Sequence, residues 1–331
     1  MAKKIAINGF GRIGRLIFRR GLNSSELEFV AINDITTPDT LAHLLKYDSI
    51  HGRFPGDVKV NGNELIVNGK GIPVFCEREP EKLPWGKLGV EIVAECTGRF
   101  REKEQAEKHL TAGAKKVLIS APARGKSYVP TIVLGVNNEE YNPDDRVLSI
   151  GSCTTNCIAP VVKVLDDNFG IVHGFMTTVH SYTSDQRLMD LPHRDLRRGR
   201  AAAVSQIPTT TGAAKTVGIV LSHLNGKLDG VSIRVPTADG SIVDFVCEVK
   251  KETTIDEVNG AFRRAAEGSM KGILEYSTEP LVSTDIIGNP HSSIFDSLLT
   301  NVIDGKFIKL FSWYDNEWGF SCRMVDMLKK M

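Results

Sequence analysis

The stretch Lys4-Ile5-Ala6-Ile7-Asn8 is a short apolar run, and Gly9-Phe10-Gly11-Arg12-Ile13-Gly14 follows it directly. The second stretch fits the pattern G-x-G-x-x-G, and an amphipathic segment over Arg12–Gly21 predicts a helix. In such a strand–loop–helix unit the first glycine permits a tight turn, the second admits a pyrophosphate, and the third lets helix and strand pack closely. The context therefore predicts a Rossmann-type dinucleotide-binding fold at the start of the chain.

The predicted cofactor is a nicotinamide dinucleotide bound around this loop. The N–H groups near Arg12 and Ile13, at the predicted helix start, can bind the diphosphate. Asp34 lies 20 residues beyond Gly14, at the end of the next predicted strand, where a carboxylate accepts hydrogen bonds from ribose hydroxyls. Its charge would repel a 2′-phosphate, so the sequence favours NAD over NADP. The alternative is a glycine-rich turn in an ordinary α/β protein.

The first half of the chain alternates predicted strands and helices. After the opening unit, a charged helix is predicted over 102–112. Further strands are predicted over 28–33, 90–96 and 116–120. Repeated strand–helix–strand units are typical of a parallel sheet that helices cover on both faces.

The second half predicts a different architecture. Long alternating segments predict strands over 174–180, 230–236, 241–251 and 306–312. The one clear helix there is predicted over 254–268, with Thr253 or Thr254 as its cap. We therefore expect an α+β domain with a mainly antiparallel sheet, and we expect this domain to begin near Gly151. A last helix is predicted over 319–331, and it could pack on either domain.

Composition and charge exclude several classes of protein. The 331 residues are 41% hydrophobic and 24% charged, with a formal net charge of +1, which argues against nucleic acid as a main partner. No apolar run approaches the ~20 residues that span a bilayer, and the first predicted strand leaves no room for a targeting segment. The six cysteines are scattered without metal-ligand spacing. We expect a cytoplasmic protein with free thiols, no bound metal and no membrane partner.

The run Ser152-Cys153-Thr154-Thr155-Asn156-Cys157 lies where an extended segment predicted over 146–151 gives way to a helical pattern that begins at Ile158. A thiol at a helix N-terminus is near the positive end of the macrodipole, which favours thiolate. With a nicotinamide cofactor present, a thiolate that adds to an aldehyde would give a thiohemiacetal whose carbon bears a transferable hydride. The alternative is that Cys153 is a small buried hydrophobe.

A thiolate nucleophile requires a base or a cation, and histidine is the usual partner. His180 ends a predicted strand and opens a polar segment, so its side chain can project into a cleft. His43, His51 and His109 are typical of surface or helix-face positions, and we expect them to be structural. In isolation the position of His180 would also favour a structural role.

Two basic features point to an anionic substrate. The run Leu196-Arg197-Arg198-Gly199-Arg200 precedes the segment 208–213, whose hydroxyls and backbone amides suit oxyanions. Arg234 lies in an apolar strand, where an arginine needs an anionic partner or an exit to solvent. Together these features favour a substrate with phosphate groups, whereas a charge run alone is usually a solvated surface.

Six motifs, in order along the chain, resemble those of phosphorylating glyceraldehyde-3-phosphate dehydrogenases. They are INGFGRIGR at 7–15, SCTTNC at 152–157, HSYT at 180–183, DLRR at 195–198, PTTTGAAK at 208–215 and WYDNE at 313–317. The resemblance implies a homotetramer, and it implies glycolytic oxidation of glyceraldehyde 3-phosphate, with NAD and phosphate, to 1,3-bisphosphoglycerate. It also implies an NAD-binding domain over 1–151, a catalytic domain over 152–315, and a C-terminal helix over 316–331 that returns to the first domain.

The resemblance also implies roles for single residues. Cys153 would be the nucleophile, and His180 would activate its thiol and hydrogen-bond the hemithioacetal oxygen. The attacking phosphate would be bound by Ser152, Thr154, Thr211 and Gly212. The substrate's own phosphate would be bound by Thr183 and Arg234, with Arg198 between the two sites. The positions that would contact NAD are Gly9, Gly11, Arg12, Ile13, Asp34, Arg78, Thr97, Ser120 and Asn316, the last by orienting the nicotinamide amide.

Some residues bear on how closely the chain follows the family pattern. Leu191-Pro192, in the S-shaped loop expected over 181–203, is typical of NAD-specific glycolytic members. Ile150-Gly151 stands where the family usually has Asn-Ala, and Phe320 replaces a common tyrosine. Gly151 would loosen the turn that aims the thiol, so we expect altered kinetics rather than lost function. Two alternatives remain open: an erythrose-4-phosphate dehydrogenase that releases a free acid, and a non-catalytic RNA- or protein-binding module.

Overall fold

The glycine-rich loop joins a buried strand to a helix, as the sequence predicts. A computed structural model describes all 331 residues, which form two compact units. The first unit comprises Met1–Ile132, Glu139–Gly151 and Ser321–Met331. The second comprises Val133–Asn138 and Ser152–Phe320. None of the helices combines the length and apolar character that a membrane crossing requires.

The first unit is built on an eight-stranded sheet. Its strands are β1 Lys3–Asn8, β2 Leu27–Asn33, β3 Val58–Asn61, β4 Glu64–Val67, β5 Lys70–Phe75, β6 Ile92–Glu95, β7 Lys116–Ile119 and β8 Val147–Ser149. The order is β3-β4-β5-β2-β1-β6-β7-β8, and all pairs from β5 to β8 are parallel, as predicted. β3, β4 and β5 form an antiparallel extension that the sequence analysis did not predict.

The helices of the first unit include two that were not predicted, over 38–46 and 85–88, and an interruption in one that was. They are α1 Arg12–Gly21, α2 Pro38–Lys46, α3 Trp85–Leu88, α4 Lys103–Ala106 and α5 Lys108–Thr111. The single helix predicted over 102–112 is therefore interrupted at Glu107. The N–H of Leu110 bonds to the Glu107 carbonyl three residues earlier, at 2.9 Å, so the chain tightens there. His109 lies on α5, one of the two alternatives expected for it, but it is fully buried, so the surface alternative is wrong.

The register of the parallel strands brings three polar side chains together at the carboxyl ends of β1, β2 and β6. Asn8 at the end of β1 pairs with Asn33 of β2 on one side and with Glu95 of β6 on the other. The start of α1 lies at the same end of the sheet, because the loop after Asn8 leads directly into α1. Ligands of open α/β sheets bind at the carboxyl ends of the strands, so the fold places a binding site here.

The second unit is built on a seven-stranded sheet. Its strands are β9 Ile171–Ser181, β10 Ile207–Thr210, β11 Leu228–Val235, β12 Ser241–Val249, β13 Leu274–Ser277, β14 Ser293–Ile303 and β15 Phe307–Tyr314. The order is β10-β11-β9-β12-β15-β14-β13. The sheet is mainly antiparallel, as predicted, but β9 with β11 and β13 with β14 are parallel pairs.

Three helices pack in the second unit: α6 Cys153–Phe169, α7 Ala213–Val220 and α8 Ile255–Glu267. α8 begins at a capping box formed by Thr254 and Glu257, which selects Thr254 over Thr253 as the cap. The prediction that 254–268 is the one clear helix of this half is wrong, because α7 is also present. Glycine and β-branched residues give α7 a weak intrinsic propensity, and its packing against α6 and β11 stabilises it instead.

The last helix, α9 Trp318–Lys330, begins one residue before the predicted start. Its residues from Ser321 onward group with the first unit, and Trp318–Phe320 group with the second. Cys322, Met324 and Leu328 are fully buried, which gives α9 the apolar face that its sequence pattern predicts.

Candidate active site and cofactor cavity

A cavity of about 280 Å³ lies at the carboxyl ends of the parallel strands in the first unit. Five residues predicted to contact NAD line it: Gly9, Gly11, Asp34, Arg78 and Thr97. Sequence reasoning missed other lining residues, among them Asn8, Asn33, Glu77 and Phe100. Three predicted contact residues are not among the lining residues, namely Arg12, Ile13 and Ser120. Asn316 belongs to the second unit.

Close contacts explain the glycines of the loop. At Gly9, where φ is +91°, a Cβ would lie 2.7 Å from the backbone N of Thr97. At Gly14 a Cβ would lie 2.2 Å from the carbonyl O of Gly9. A Cβ at Gly11 would meet nothing within 4 Å, since Gly11 borders the cavity. These are the turn, packing and access roles that a bound dinucleotide requires, so the residues present fit such a cofactor.

Asp34 is held against the glycine-rich loop. Its Oδ2 accepts a hydrogen bond from the backbone N–H of Phe10 at 2.7 Å. That bond fixes the carboxylate at the cavity wall and leaves Oδ1 for a ribose hydroxyl. Arg12, by contrast, directs its guanidinium to Asp48, with 3.2 Å between Nη2 and Oδ1. The backbone of Arg12, at the start of α1, is therefore the part of this residue best suited to a diphosphate.

Cys153 is the first residue of α6, as the sequence analysis expected of a thiol at a helix start. Ser152 caps the helix by accepting a hydrogen bond from the N–H of Thr155 at 3.0 Å. Between β8 and this cap, Gly151 adopts φ +73°, and its N–H donates to the Ser149 hydroxyl at 2.9 Å. The turn that aims the thiol thus depends on a left-handed backbone conformation, which glycine adopts without a steric penalty.

We expect Gly151→Ala, which restores the residue usual in the family pattern, to lower the free energy of unfolding by about 1–2 kcal/mol. The cause is the clash of a Cβ with the backbone in the left-handed region. Urea unfolding followed by circular dichroism measures the effect. Gly260→Ala, inside α8, is the matched control and should be neutral or stabilising. Equal urea midpoints for Gly151→Ala and the unaltered chain would contradict the argument.

Cys153, His180 and Arg234 lie together in the second unit. The Sγ of Cys153 is 3.5 Å from Nε2 of His180. His180 and Arg234 are register partners in the parallel β9–β11 pair, and Nη1 of Arg234 lies 2.9 Å from Nδ1 of His180. The structure therefore brings the predicted thiol and base into contact and adds a guanidinium on the far side of the imidazole.

The hydrogen bonds of His180 indicate which ring nitrogen carries its proton. Nδ1 is 2.7 Å from the carbonyl O of Ser181, an acceptor that requires an N–H. Nη1 of Arg234 cannot then donate to Nδ1, but it reaches the same carbonyl at 3.0 Å and Oγ1 of Thr183 at 3.4 Å. We therefore assign the proton to Nδ1. Nε2 is left with its lone pair directed at the thiol of Cys153.

Burial and the charge of Arg234 act together on the pKa of His180 but oppose each other on that of Cys153. Burial, together with the positive charge of Arg234, lowers the pKa of His180 to about 3. Burial raises the pKa of the Cys153 thiol, while the positive charge of Arg234 opposes that rise. The sequence analysis expected the dipole of α6 to favour thiolate, but burial is the larger influence, and the pKa of the Cys153 thiol is raised above its ordinary value. Without an anionic ligand at Arg234, these effects favour a neutral imidazole.

Tyr314 is a site residue that the sequence reasoning did not single out. Its buried hydroxyl lies 2.9 Å from the hydroxyls of both Thr154 and Thr178. Its ring meets the imidazole of His180 edge to face, with 5.9 Å between centroids. The available signal was its place in the WYDNE motif, where a tyrosine follows a run of apolar strand residues.

The predicted anion-binding residues fall into three groups. Ser152 and Thr154 lie at the start of α6, and Thr211 and Gly212 lie at the start of α7, which packs against α6. Thr183 contacts Arg234, whose Nε is buried and makes no hydrogen bond. Arg198 is held by Asp185 and Thr209. A buried guanidinium N–H without a partner is costly, so Arg234 meets the sequence expectation of a residue that needs an anion.

Asn316 is anchored near the same residues. Its Oδ1 accepts a hydrogen bond from the hydroxyl of Ser241 at 2.6 Å, and that hydroxyl in turn accepts one from the N–H of Ser181. The amide orientation of Asn316 is thereby fixed, with Nδ2 available as a donor. A ligand's carboxamide carbonyl oxygen requires such an N–H donor.

A glycine-loop cavity on a parallel sheet and a cysteine–histidine pair on an α+β domain define a class, the nicotinamide-dependent dehydrogenases with a cysteine in the site. A family model described as "Glyceraldehyde 3-phosphate dehydrogenase, NAD binding domain" matches residues 3–103. A second, described as "Glyceraldehyde 3-phosphate dehydrogenase, C-terminal domain", matches residues 152–316. The chain belongs to the glyceraldehyde-3-phosphate dehydrogenase family, and its cofactor is NAD.

Curated relatives support this over the full length. The glyceraldehyde-3-phosphate dehydrogenase of Geobacillus stearothermophilus is 61% identical over 328 residues, which covers 99% of this chain and 97% of the relative. The enzyme of that name from Thermotoga maritima is 58% identical, with 98% of each chain covered. Glyceraldehyde-3-phosphate dehydrogenase 1 of Bacillus subtilis is 58% identical, with coverage of 99% and 97%.

Proposed function

We propose that the chain converts glyceraldehyde 3-phosphate, inorganic phosphate and NAD to 1,3-bisphosphoglycerate and NADH, through a thioester on Cys153. The observation that carries the proposal is the contact of the Cys153 thiol with His180, beside the orphaned Nε of Arg234. A nucleophile, a base and an anion site are what a phosphorylated aldehyde requires. Relatives that are 53–61% identical to the chain carry the name glyceraldehyde-3-phosphate dehydrogenase, which supports this activity.

The first step forms a covalent bond between Cys153 and the aldehyde carbon. Nε2 of His180 takes the thiol proton as the sulfur attacks, and the resulting imidazolium donates to the hemithioacetal oxygen. His180 then takes the hydroxyl proton as the carbon is oxidised to the thioester. Bound NAD supplies the hydride acceptor for this oxidation. Gly9, Gly11, Asp34, Arg78 and Thr97 would hold NAD through the cavity wall, and the amide of Asn316 would orient its carboxamide.

Substrate binding also tunes the base. Arg234 lowers the pKa of His180 and, through the same charge, favours thiolate at Cys153. A phosphate dianion that pairs with the guanidinium of Arg234 offsets this charge, so the pKa of His180 rises when substrate is bound. His180 thus becomes a stronger base in the complex than in the free protein.

The second step transfers the acyl group to inorganic phosphate. Ser152 and Thr154 at the start of α6, and Thr211 and Gly212 at the start of α7, offer hydroxyls and backbone N–H groups to an oxyanion. Arg198 adds a fixed positive charge, because Asp185 and Thr209 hold its guanidinium. A phosphate oxygen attacks the thioester carbon, the C–S bond breaks, and the sulfur of Cys153 leaves as thiolate.

The assembly and location form a further part of the proposal. We infer the homotetramer that the family resemblance implies. Leu188, Leu191 and Leu196 in the loop after β9 are 77%, 58% and 85% exposed, which supports contact with a protein partner. All six cysteines are free, which supports a reducing cytoplasm. We also propose the three segments that the resemblance implies: an NAD-binding domain over 1–151, a catalytic domain over 152–315 and a C-terminal helix over 316–331. The grouping of Ser321–Met331 with the first unit supports a return of the last helix.

The decisive experiment measures NADH formation with and without phosphate. We expect no sustained turnover of glyceraldehyde 3-phosphate unless phosphate is present, and a strong preference for NAD over NADP. Turnover with erythrose 4-phosphate that needs no phosphate would instead indicate hydrolysis of the thioester. Salt-dependent RNA binding without any dehydrogenase activity would indicate the non-catalytic alternative.

A further inference from the structure

A cluster of buried polar side chains lies directly behind the cofactor cavity and has no role in the mechanism above. We call it the buried relay, and its members are Trp85, His109, Glu95, Asn8 and Asn33. All five are buried, and the side chains of His109 and Glu95 have no exposed surface. Placing a carboxyl group and an imidazole inside a protein is unfavourable unless their polar atoms are paired. The pairing of this cluster indicates what it does.

The hydrogen bonds run in one direction from Trp85 to Glu95. The indole Nε1–H of Trp85 donates to Nδ1 of His109 at 3.0 Å. Nδ1 is therefore the acceptor nitrogen, and the ring proton lies on Nε2, which is 3.0 Å from Oε2 of Glu95. The indole thus fixes the tautomer of His109, and His109 donates to Glu95. Such a partner orients a functional side chain without contacting a ligand.

From Glu95 the relay reaches the cavity wall through two asparagines. Nδ2 of Asn8 donates to Oε2 of Glu95 at 2.6 Å, and Nδ2 of Asn33 donates to Oδ1 of Asn8 at 2.6 Å. The backbone N–H of Glu77 then donates to Oδ1 of Asn33 at 2.9 Å. Asn8, Asn33 and Glu77 all line the cavity. Each amide is therefore held in one of its two possible orientations.

The second oxygen of Glu95 fixes the loop that faces the glycine-rich turn. Oε1 accepts hydrogen bonds from the backbone N–H of Thr97, at 2.8 Å, and from the Thr97 hydroxyl. Thr97 lies against Gly9, where a Cβ would come within 2.7 Å of the Thr97 backbone. The hydroxyl proton of Thr97 is used by Glu95, and its Oγ1 accepts the N–H of Arg99 at 3.1 Å, so one acceptor lone pair is left for a ligand in the cavity.

We propose that Glu95 is a positioning residue for NAD. With His109 and Trp85 behind it, Glu95 holds Asn8 and Thr97 in the orientation that binds the cofactor, and it does not touch the cofactor itself. The inference rests on the proposed cofactor site, and it adds a residue to that site that acts through others. A preformed wall removes the cost of ordering these side chains when NAD binds.

The first test is Glu95→Gln. An amide replaces one acceptor oxygen by an NH₂ group, so that group must face either the Asn8 amide or the Thr97 N–H as a second donor. We expect the Kd for NAD to rise at least tenfold, with kcat at saturating NAD within about threefold and an unchanged KM for the aldehyde. Glu91→Gln, one residue before β6, is the matched control, because Glu91 accepts from the Lys4 N–H away from the cavity. An unchanged Kd for NAD in Glu95→Gln would overturn the inference.

The second test separates hydrogen bonding from packing at His109, and it decides the matter if Glu95→Gln does not fold. Glutamine can accept from Trp85 and donate to Glu95, whereas leucine fills the site without either bond. We expect His109→Gln to keep the Kd for NAD within about threefold and His109→Leu to raise it at least tenfold. Both are measured by calorimetry on protein that is folded by circular dichroism. Equal NAD affinities for the two variants would show that the ring only fills space, and would overturn the inference.

A third variant separates this inference from the cofactor site on which it rests. Gly11→Val places a branched side chain beside the cavity, at a position with open space around it, and should abolish NAD binding. If Gly11→Val weakens NAD binding while Glu95→Gln and His109→Leu do not, the relay inference alone is wrong. If Gly11→Val leaves the Kd for NAD unchanged, the proposed cofactor site is wrong, and the relay inference fails with it.

Discussion

Replacing Cys153 with serine is expected to lower phosphate-dependent NADH formation by roughly 10⁴-fold or more, as removal of a covalent nucleophile does elsewhere. The hydroxyl of serine ionises at far higher pH than a thiol, so serine is a much weaker nucleophile beside the same histidine. NAD affinity should change little, because the cofactor cavity is formed by residues of the first unit. Initial rates from NADH absorbance and a calorimetric Kd for NAD measure the two quantities separately.

The matched control for this experiment is Cys157→Ser, one turn further along α6. Burial raises the pKa of Cys157 to about 12, so this thiol is not a nucleophile near neutral pH. Its Sγ lies 3.7 Å from the carbonyl of Ser312, a contact that a serine hydroxyl can reproduce. We expect kcat/KM within about threefold for Cys157→Ser. Equal losses in the two variants, or more than a few per cent of activity in Cys153→Ser, would contradict a thioester on Cys153.

Features that depend on neighbouring residues were predictable from the sequence. The turn at Gly9 and the start of α1 each involve residues within about five positions of one another. The alternation of apolar and polar residues predicted most strands, and helical periodicity predicted α8, because the spacing of apolar residues within an element determines its buried face. The fold class followed from these local patterns and from their order along the chain.

Features that depend on strand pairing were not predictable in this way. His180 and Arg234 are 54 positions apart, and only the parallel register of β9 and β11 makes them neighbours. The mainly antiparallel sheet expected from the sequence does not specify that pair. The burial of His109 was also not predictable. Its charged neighbours in the sequence predict an exposed helix, but Trp85 and Glu95 hydrogen-bond its ring in the interior. Residue spacing along the chain does not report such long-range contacts.

Replacing Arg234 with leucine is expected to raise the KM for glyceraldehyde 3-phosphate and to lower kcat/KM by about 10²- to 10³-fold. The guanidinium supplies the positive charge and the N–H donors for the substrate phosphate, and its buried Nε makes no hydrogen bond within the chain. A hydrogen bond to a charged group contributes about 1.5–3 kcal/mol, and about 1.4 kcal/mol corresponds to a tenfold change in affinity. Loss of one or two such bonds accounts for the range. The KM for NAD should change little, which steady-state kinetics with each substrate varied in turn will measure.

The same substitution should also change the pH dependence of the thiol. The positive charge of Arg234 lowers the pKa of Cys153 and that of His180. Its removal therefore raises both pKa values. Alkylation by iodoacetamide requires the thiolate, so its rate in the free protein should reach half of its maximum at a higher pH in Arg234→Leu. The rate at neutral pH should fall accordingly.

Two further variants determine whether Arg234 acts on substrate, on the thiol, or on both. Arg234→Lys keeps the charge but not the planar fork, so the alkylation midpoint should stay near that of the unaltered chain while the KM for the aldehyde rises. Arg263→Leu, which removes an exposed arginine stacked on Tyr276, should change neither quantity. A midpoint that falls in Arg234→Leu would contradict the electrostatic role. A raised KM with a raised midpoint would mean that one guanidinium binds the substrate phosphate and also tunes the cysteine that attacks it.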